Sequence, residues 1–179
     1  TDGATIKNLS VTNDNITGKQ WVGSFVGITY STTIDNCSAS GSVTGTSFVA
    51  GLVGYHYANS GIIRNSYSTV SVDGINYIGG LVGYIYSSTI LNSYSTGSVV
   101  ATNNNPYSGG LVGRKGGSTT VTDSFYDTDT SLQSDSGKGT GKTTAQMKTL
   151  ATFTDTATTG LSTSWDYNNI WNIDTSGTI

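Results

Sequence analysis

The sequence predicts an all-β fold, a three-sided β-solenoid (β-helix) of about four coils of 27–31 residues, with a C-terminal cap containing one short helix. Three phased elements predict it. Gly51-Leu52-Val53-Gly54 recurs as Gly80-Leu81-Val82-Gly83 and Gly110-Leu111-Val112-Gly113, with a degenerate copy at Ser24-Phe25-Val26-Gly27; the closing glycines stand 27, 29 and 30 residues apart. Ile6-Lys7-Asn8, Ile34-Asp35-Asn36, Ile63-Arg64-Asn65, Ile90-Leu91-Asn92 and Val121-Thr122-Asp123 keep the same period, their Asn or Asp 28, 29, 27 and 31 residues apart. Seven residues after the Asn come Val43, Val72 and Val99, with Ile16 in a slightly longer first copy. No single copy can bury its apolar side chains alone, so the copies must stack.

Each repeat reads as three short strands. The first is Phe48-Val49-Ala50-Gly51-Leu52-Val53 and its equivalents. Both of its pleat faces are apolar, so one is expected inside and the other as an apolar stripe outside. The second is Thr33-Ile34-Asp35-Asn36-Cys37-Ser38, rewritten as Ile62-Ile63-Arg64-Asn65-Ser66-Tyr67, and the third is Gly41-Ser42-Val43-Thr44-Gly45. Stacking turns phase into ladders, with the Ile6, Ile34, Ile63, Ile90 and Val121 rank in the core. The Asn8, Asn36, Asn65, Asn92 and Asp123 rank is expected as an amide ladder at a corner. With about 4.8 Å between coils, four turns make a stack about 20 Å tall.

Composition agrees. Gly, Ser, Thr and Asn make up 93 of 179 residues, and charged residues only 11%, against about 25% in ordinary domains. Such a chain has too few helix formers for a bundle or a doubly wound enzyme. A net charge of −3 offers no basic footprint for nucleic acid. The longest nearly apolar stretch, Tyr77 to Tyr86, is half a membrane span. The single cysteine, Cys37, leaves no internal disulfide or cysteine-built zinc site and reads as a small buried side chain. No signal peptide is visible, and the abrupt Thr1-Asp2-Gly3 start looks like that of an excised or processed piece.

The tail differs from the repeats, dividing the chain into solenoid repeats over 1–126 and a capping segment over 127–179 within one structural unit. Thr143 and Gln146 form a Thr-x-x-Gln capping box, so a short helix is predicted near 144–153. That helix, with Trp165, Tyr167 and Trp171, is expected to cover the last coil, whose end would otherwise expose core and strand edges.

The Gly-Leu-Val-Gly copies, followed after about seven to nine residues by Ile/Val-x-Asn-Ser-Tyr, resemble the GLUG-motif repeats of bacterial and archaeal surface proteins. These include adhesin-like proteins, cell-wall proteins and non-catalytic regions of some immunoglobulin-A-cleaving metallopeptidases. The segments Ser124–Ser131 and Gly139–Lys148, then Trp165-Asp166-Tyr167 and Ile170-Trp171-Asn172-Ile173, are similar to those closing such arrays. The departures are Ser24 in the first copy and an end at Ile179 before the usual aromatic-proline ending. The resemblance implies repeat architecture in an extracellular setting; it implies no activity.

No catalytic site and no cofactor are predicted. His56, the only histidine, is followed by Tyr57, so there is no His-Glu-x-x-His zinc motif, and it is read in a loop with no Gly-x-Ser-x-Gly elbow. Gly137-Lys138-Gly139-Thr140-Gly141-Lys142-Thr143 lacks phosphate-loop spacing. Asp127-x-Asp129-x-Ser131 resembles the opening of a calcium loop, but Leu132 and Lys138 stand where Gly and Glu belong; Asx-turn bonding is the plainer account. The aromatics carry more signal. Trp21, Phe48, Tyr77 and Tyr107 precede the Gly-Leu-Val-Gly segment, Tyr55 and Tyr84 follow it directly, and Tyr30, Tyr57 and Tyr86 sit two residues later. Tyr30, Tyr55, Tyr57, Tyr84 and Tyr86 are therefore the candidate binding residues, because tyrosine is rigid and amphipathic.

The function these features imply is a non-enzymatic structural and adhesive module of a large secreted or cell-surface protein. Its expected partners are neighbouring domains of the same polypeptide and a surface glycan or protein receptor, with no nucleic acid and no membrane insertion. A carbohydrate-binding module using the tyrosine ladder is the alternative. An ice-binding solenoid is further off, since Ile62 interrupts the Thr5, Thr33, Thr89 and Thr120 rank.

Overall fold

A computed structural model describes residues 2–57, 60–102, 106–134 and 138–171. Gly137 of the glycine-rich loop and the closing residues 172–179, which include Asn172, Ile173 and Ile179, lie outside them. The chain is a β-solenoid of about four turns, and among the described residues the strands of successive coils pair in parallel, with one register shift, between Val11 and Asp14.

Among the described residues the strands gather into four sheets rather than three sides. The first holds Thr5–Lys7, Thr33–Asp35, Ile62–Arg64, Thr89–Leu91 and Thr120–Thr122. The second begins with Ser10–Thr17 and Ser38–Thr44; in later coils it divides into Tyr67–Ser68 with Ser71–Gly74, and Tyr94–Ser95 with Val99–Ala101. It ends in Phe125–Asp127 and Thr140–Lys142. The third holds Gln20–Gly23, Ser47–Ala50, Asn76–Gly79 and Ser108–Gly109. The fourth holds Val26–Tyr30, Val53–Tyr57, Val82–Tyr86 and Val112–Gly116.

The fourth sheet exists because the segment expected as one strand folds back at Gly51-Leu52. The cause is close approach. A Cβ on Gly54 would stand 2.6 Å from the Phe48 carbonyl oxygen and 2.7 Å from that of Gly27. Only glycine lets the backbones on either side of the fold pack against each other. A Cβ on Gly51 would collide with Ser68 Oγ of the second sheet, and one on Gly80 with Ser95 Oγ. Both glycines of the motif are thus small because something stands against them. The fold-back carries Val49, Ala50, Leu52 and Val53 all inside, so none of these aliphatic residues contributes to the apolar stripe expected outside.

The isoleucine rank is core as expected, with Ile34, Ile63 and Ile90 fully buried. The asparagine rank makes the corner between the first two sheets. Asn8, Asn36, Asn65, Asn92 and Asp123 all have φ of 47–56°, a conformation that Asn and Asp tolerate better than most residues. The amide ladder forms at the bottom rung, where Asn36 Nδ2 donates to Asn8 Oδ1 at 2.9 Å, and then departs, Asn65 Nδ2 donating to Asp35 Oδ1. Stitching is done one residue on. Ser66, Ser93 and Ser124 each donate to the carbonyl two residues back and accept an N–H from the coil before. Cys37 fills the same slot, its Sγ 3.3 Å from the Asp35 carbonyl.

The helix expected over 144–153 is two separate single turns, α2 (Thr144–Met147) and α3 (Ala151–Thr154), after an unforeseen α1 (Thr128–Ser131). The capping box is present, Thr143 and Gln146 bonding reciprocally. The turns do not merge because one turn is a poor nucleus and Thr149 and Thr152 return their hydroxyls to nearby carbonyls. Nor do the tryptophans cover the end of the stack. Trp165 and Trp171 lie along its side, packed with Met147, Phe153 and Leu161 on Tyr94 and Phe125 of the second sheet. The end itself is closed by Thr140–Lys142, paired to Phe125–Asp127, and by Lys138, whose Nζ donates to the carbonyls of Ser108 and Gly113.

Candidate functional site

The third and fourth sheets meet at the fold-back, and their outward side chains converge on one aromatic face. Register stacks them in three ranks. The first rank is Trp21, Phe48, Tyr77 and Tyr107, the second Ile28, Tyr55, Tyr84 and Arg114, and the third Tyr30, Tyr57, Tyr86 and Gly116. The five tyrosines expected as binding residues are thus brought together. The whole first rank and Arg114 join them, though only the tyrosines flanking the motif had been singled out.

The rings are packed on one another. Phe48–Tyr77 and Tyr77–Tyr107 centroids are 4.6 and 5.1 Å apart, Tyr55–Tyr84 5.0 Å, and Tyr57–Tyr86 5.3 Å, all near-parallel. The first two ranks also interleave, Phe48 against Tyr55 at 5.5 Å and Tyr77 against Tyr84 at 5.7 Å. Tyr55 meets Tyr57, and Tyr84 meets Tyr86, edge to face. Burial among these rings pushes the Tyr55 phenol above its ordinary pKa. Arg114 closes the upper end, its guanidinium 4.6 Å from the Tyr107 centroid while Nη1 donates to Tyr77 Oη at 3.2 Å. A sequence signal for Arg114 did exist: it replaces tyrosine directly after the third complete Gly-Leu-Val-Gly copy.

Position on the outside comes at a conformational cost. Trp21, Phe48 and Tyr77 have φ of 53°, 57° and 57°, a left-handed conformation costing roughly 1–2 kcal/mol for a residue with a Cβ. The left-handed turn throws each ring outward although the residue that follows it, Val22, Val49 or Ile78, points in. Bulky aromatics disfavour that conformation, so pattern alone does not reveal it.

The remaining candidates are engaged elsewhere. His56 lies in the strand Val53–Tyr57 rather than a loop, and its imidazole is fully buried. Its Nδ1 is 2.5 Å from Thr29 Oγ1, Nε2 has no partner, and burial holds its pKa down to about 4. Asp127 caps α1: Oδ1 accepts from Asp129 N and Thr130 N, and Oδ2 from Thr144 Oγ1. Asp129 Oδ2 accepts from Thr144 N. These are the turn bonds anticipated as the plainer account of the calcium-like pattern. The Thr5, Thr33, Ile62, Thr89 and Thr120 rank is in register on the first sheet, and beside it the Lys7, Asp35, Arg64 rank carries an Arg64–Asp35 ion pair of 2.8 Å. Among the described residues no helix is long and apolar enough to cross a membrane.

Comparison with known proteins bears on this architecture. The chain matches the family described as the GLUG motif over residues 22–44 and 74–100. It is 44% identical over 91 residues to a Gly-rich membrane protein of Evansella cellulosilytica, an alignment covering 49% of this chain and 10% of that one. It is 46% identical over 119 residues to halomucin of Haloquadratum walsbyi, covering 66% of this chain and 1% of that one. The chain therefore spans a tenth or less of the length of these curated relatives. No solved structure matches it. The matched segments hold the fold-back glycines, the corner asparagines and the outward rings of two coils: residues 22–44 and 74–100 are GLUG-motif repeats.

Proposed function

We propose that the chain is a non-enzymatic, structural and adhesive repeat module of a larger protein at the cell surface or outside the cell. The carrying observation is the aromatic face: nine rings face outward on a stack whose core is built of Val, Leu and Ile. Exposed apolar patches of this kind mark contact sites. The relatives support the setting, being named as a Gly-rich membrane protein and as halomucin. The engagement of His56 and Asp127 by the chain's own groups supports the absence of catalysis. Neighbouring domains and a surface glycan or protein receptor are the partners that such a face fits.

The same face favours a second reading as a carbohydrate-binding module, since its hydroxyl-bearing edges line up at one-coil spacing. The threonine rank is a poorer ice-binding candidate, because Ile62 and the adjoining ion pair break its regularity.

Beads coated with the protein test the adhesive reading on surfaces bearing glycans, extracellular protein or inert polymer. Retention on a glycan or protein surface is expected, falling about tenfold in a Tyr57→Ala/Tyr86→Ala variant, the scale of loss for interfacial aromatics. Retention equal to that on inert polymer defeats the proposal.

A further inference from the structure

We infer that Tyr57 and Tyr86 form an oxidative cross-linking site, at which a haem peroxidase using hydrogen peroxide joins the two phenols into a dityrosine that staples the second coil to the third. The inference concerns covalent chemistry on the face and stands apart from what the face binds. Among the described residues four tyrosine pairs stack near-parallel across one coil step. They are Tyr67–Tyr94 at 4.9 Å, Tyr55–Tyr84 at 5.0 Å, Tyr77–Tyr107 at 5.1 Å and Tyr57–Tyr86 at 5.3 Å. Parallel strands hold such partners about 4.8 Å apart, so a bond between the rings needs the rings to tilt and neither strand to move.

Surroundings separate the four pairs. Tyr67 and Tyr94 lie under the C-terminal segment, where Trp171 packs on both, Trp165 packs on Tyr94, and Tyr94 is buried. Tyr55 and Tyr84 meet Phe48 and Tyr77 as well as the rings of Tyr57 and Tyr86, which leaves them no room to tilt. Tyr77 and Tyr107 are held by Arg114, whose guanidinium stands 4.6 Å from the Tyr107 centroid while Nη1 donates to Tyr77 Oη. A cation over a ring stabilises its π-electrons and so opposes their removal.

Tyr57 and Tyr86 carry none of these restraints. Tyr57 is 39% exposed, and the contacts of the pair with the second rank are edge to face, at 6.1 and 6.4 Å. Glycine backs Tyr86 on the side away from Tyr57. A Cβ on Gly116, the partner of Tyr86 in the next coil, would stand 2.7 Å from Tyr86 Cδ2, and one on Gly117 3.1 Å from Cε1. No side chain fits there, so Tyr57 is the ring that a Tyr86 radical meets within its rank. Tyr30, the other neighbour of Tyr57 in that rank, is turned 67° from it at 6.0 Å and meets it edge-on.

The chemistry balances with one peroxide for each link. Each phenol gives up one electron and its proton to the peroxidase, and the two phenoxyl radicals join carbon to carbon at the positions ortho to oxygen. The two ortho hydrogens then move to the oxygens, which restores both aromatic rings and both hydroxyls. The O–O bond of the peroxide breaks and its oxygens leave as two waters, so the protein loses two hydrogens.

The full chain, dilute enough to stay monomeric, is treated with hydrogen peroxide and a haem peroxidase. The monomer is then isolated by size and its peptides are mapped by mass spectrometry. The expected product is a monomer with dityrosine fluorescence, a mass lower by two hydrogens and a linked Tyr57–Tyr86 peptide. Tyr57→Phe and Tyr86→Phe, which keep the stacked rings, should each abolish this product, whereas Tyr67→Phe should form it as the wild type does. The denaturant midpoint of the linked monomer should rise, because the bond closes a loop between residues 29 apart in the unfolded chain. A principal link at Tyr30–Tyr57, Tyr55–Tyr84 or Tyr77–Tyr107 overturns the choice of pair. Links found only between molecules, or none at all, overturn the site, and an unchanged midpoint overturns the staple.

Discussion

At the scale of single residues, His56 is buried within the solenoid, and its energetics follow from its neighbours in the stack. Register places Thr29 below it and Ile85 above. The imidazole is neutral, one nitrogen facing the Thr29 hydroxyl and the other facing nothing polar. Burial lowers its pKa from 6.5 to about 4. In this window the unfolded chain binds the proton that the folded chain refuses. Stability is therefore full above pH 6.5 and declines as pH falls from 6.5 through 4, by about 3 kcal/mol in all at 1.36 kcal/mol per unit. Asp35, held below its ordinary 3.8 by the Arg64 hydrogen bond, titrates beneath this window and does not mask it. Thr29→Val/His56→Ile copies the aliphatic occupancy of Ile85 and leaves no unpaired hydroxyl. Denaturant midpoints between pH 4 and 7 should be flat in this variant and sloped in the wild type; equal slopes would remove His56 as the cause. From sequence the histidine reads as a loop residue after the Gly-Leu-Val-Gly segment. Its true position needed the register of Thr29 and Ile85, which only the fold-back sets.

At the scale of the element, the motif glycines and their opposing residues behave as matched pairs. Gly54→Ala drives a methyl against the Phe48 and Gly27 carbonyls, which are backbone and cannot step aside. A loss of about 1–3 kcal/mol is expected in chemical denaturation, as for other overpacked sites; a loss below a few tenths would contradict the close approach. Gly51 is opposed by the Ser68 side chain as well as by the Gly80 carbonyl oxygen, and on the side-chain side the first coil already shows an exchange. In register, Ser24 stands where Gly51 does, and Ala39 where Ser68 does. The larger residue on one side accompanies the smaller on the other. Gly51→Ser alone should destabilise, and Gly51→Ser/Ser68→Ala should recover part of the loss, with a coupling of about 1 kcal/mol in a double-mutant cycle. Additive losses would show that Ser24 is tolerated for another reason. Period and strand order were legible because Ile34, Asn36 and Val43 repeat in phase with Gly54. The number of sheets was not, since Val49-Ala50-Gly51-Leu52-Val53 reads equally well as a straight strand with two apolar faces. The outward turn at Trp21, Phe48 and Tyr77 was hidden for a related reason, as it relies on a backbone conformation that their bulk opposes.

At the scale of the whole molecule, a stack of coils behaves as a one-dimensional array in which each coil holds only its neighbours. The C-terminal segment changes that. Tyr67, Tyr94 and Phe125 stand in three successive coils of the second sheet, and one run of chain lies across all three. Trp171 contacts Tyr67 and Tyr94, and Trp165 contacts Tyr94, Phe125 and Phe153. The strap is anchored by polar bonds, Trp165 Nε1 donating to the Asp123 carbonyl at 3.0 Å and Ser162 Oγ to the Asp123 carboxylate at 2.9 Å. The first two coils carry Ser10 and Ser38 in that rank and lie outside its reach. The later coils should therefore open together and the earlier ones independently. Trp165→Ala removes the ring that bridges Tyr94, Phe125 and Phe153, at a cost of about 3–5 kcal/mol if the strap stays closed. The cheaper outcome is release of the strap, after which the stack frays coil by coil from that end. Native-state hydrogen exchange separates the two. Release predicts that amides of Tyr94–Ser95 and Phe125–Asp127 lose protection in order, the last coil most, while those of Ser38–Thr44 keep theirs. An equal loss along the whole stack would mean that the coils already unfold as one body and that the strap adds stability without setting the order of opening.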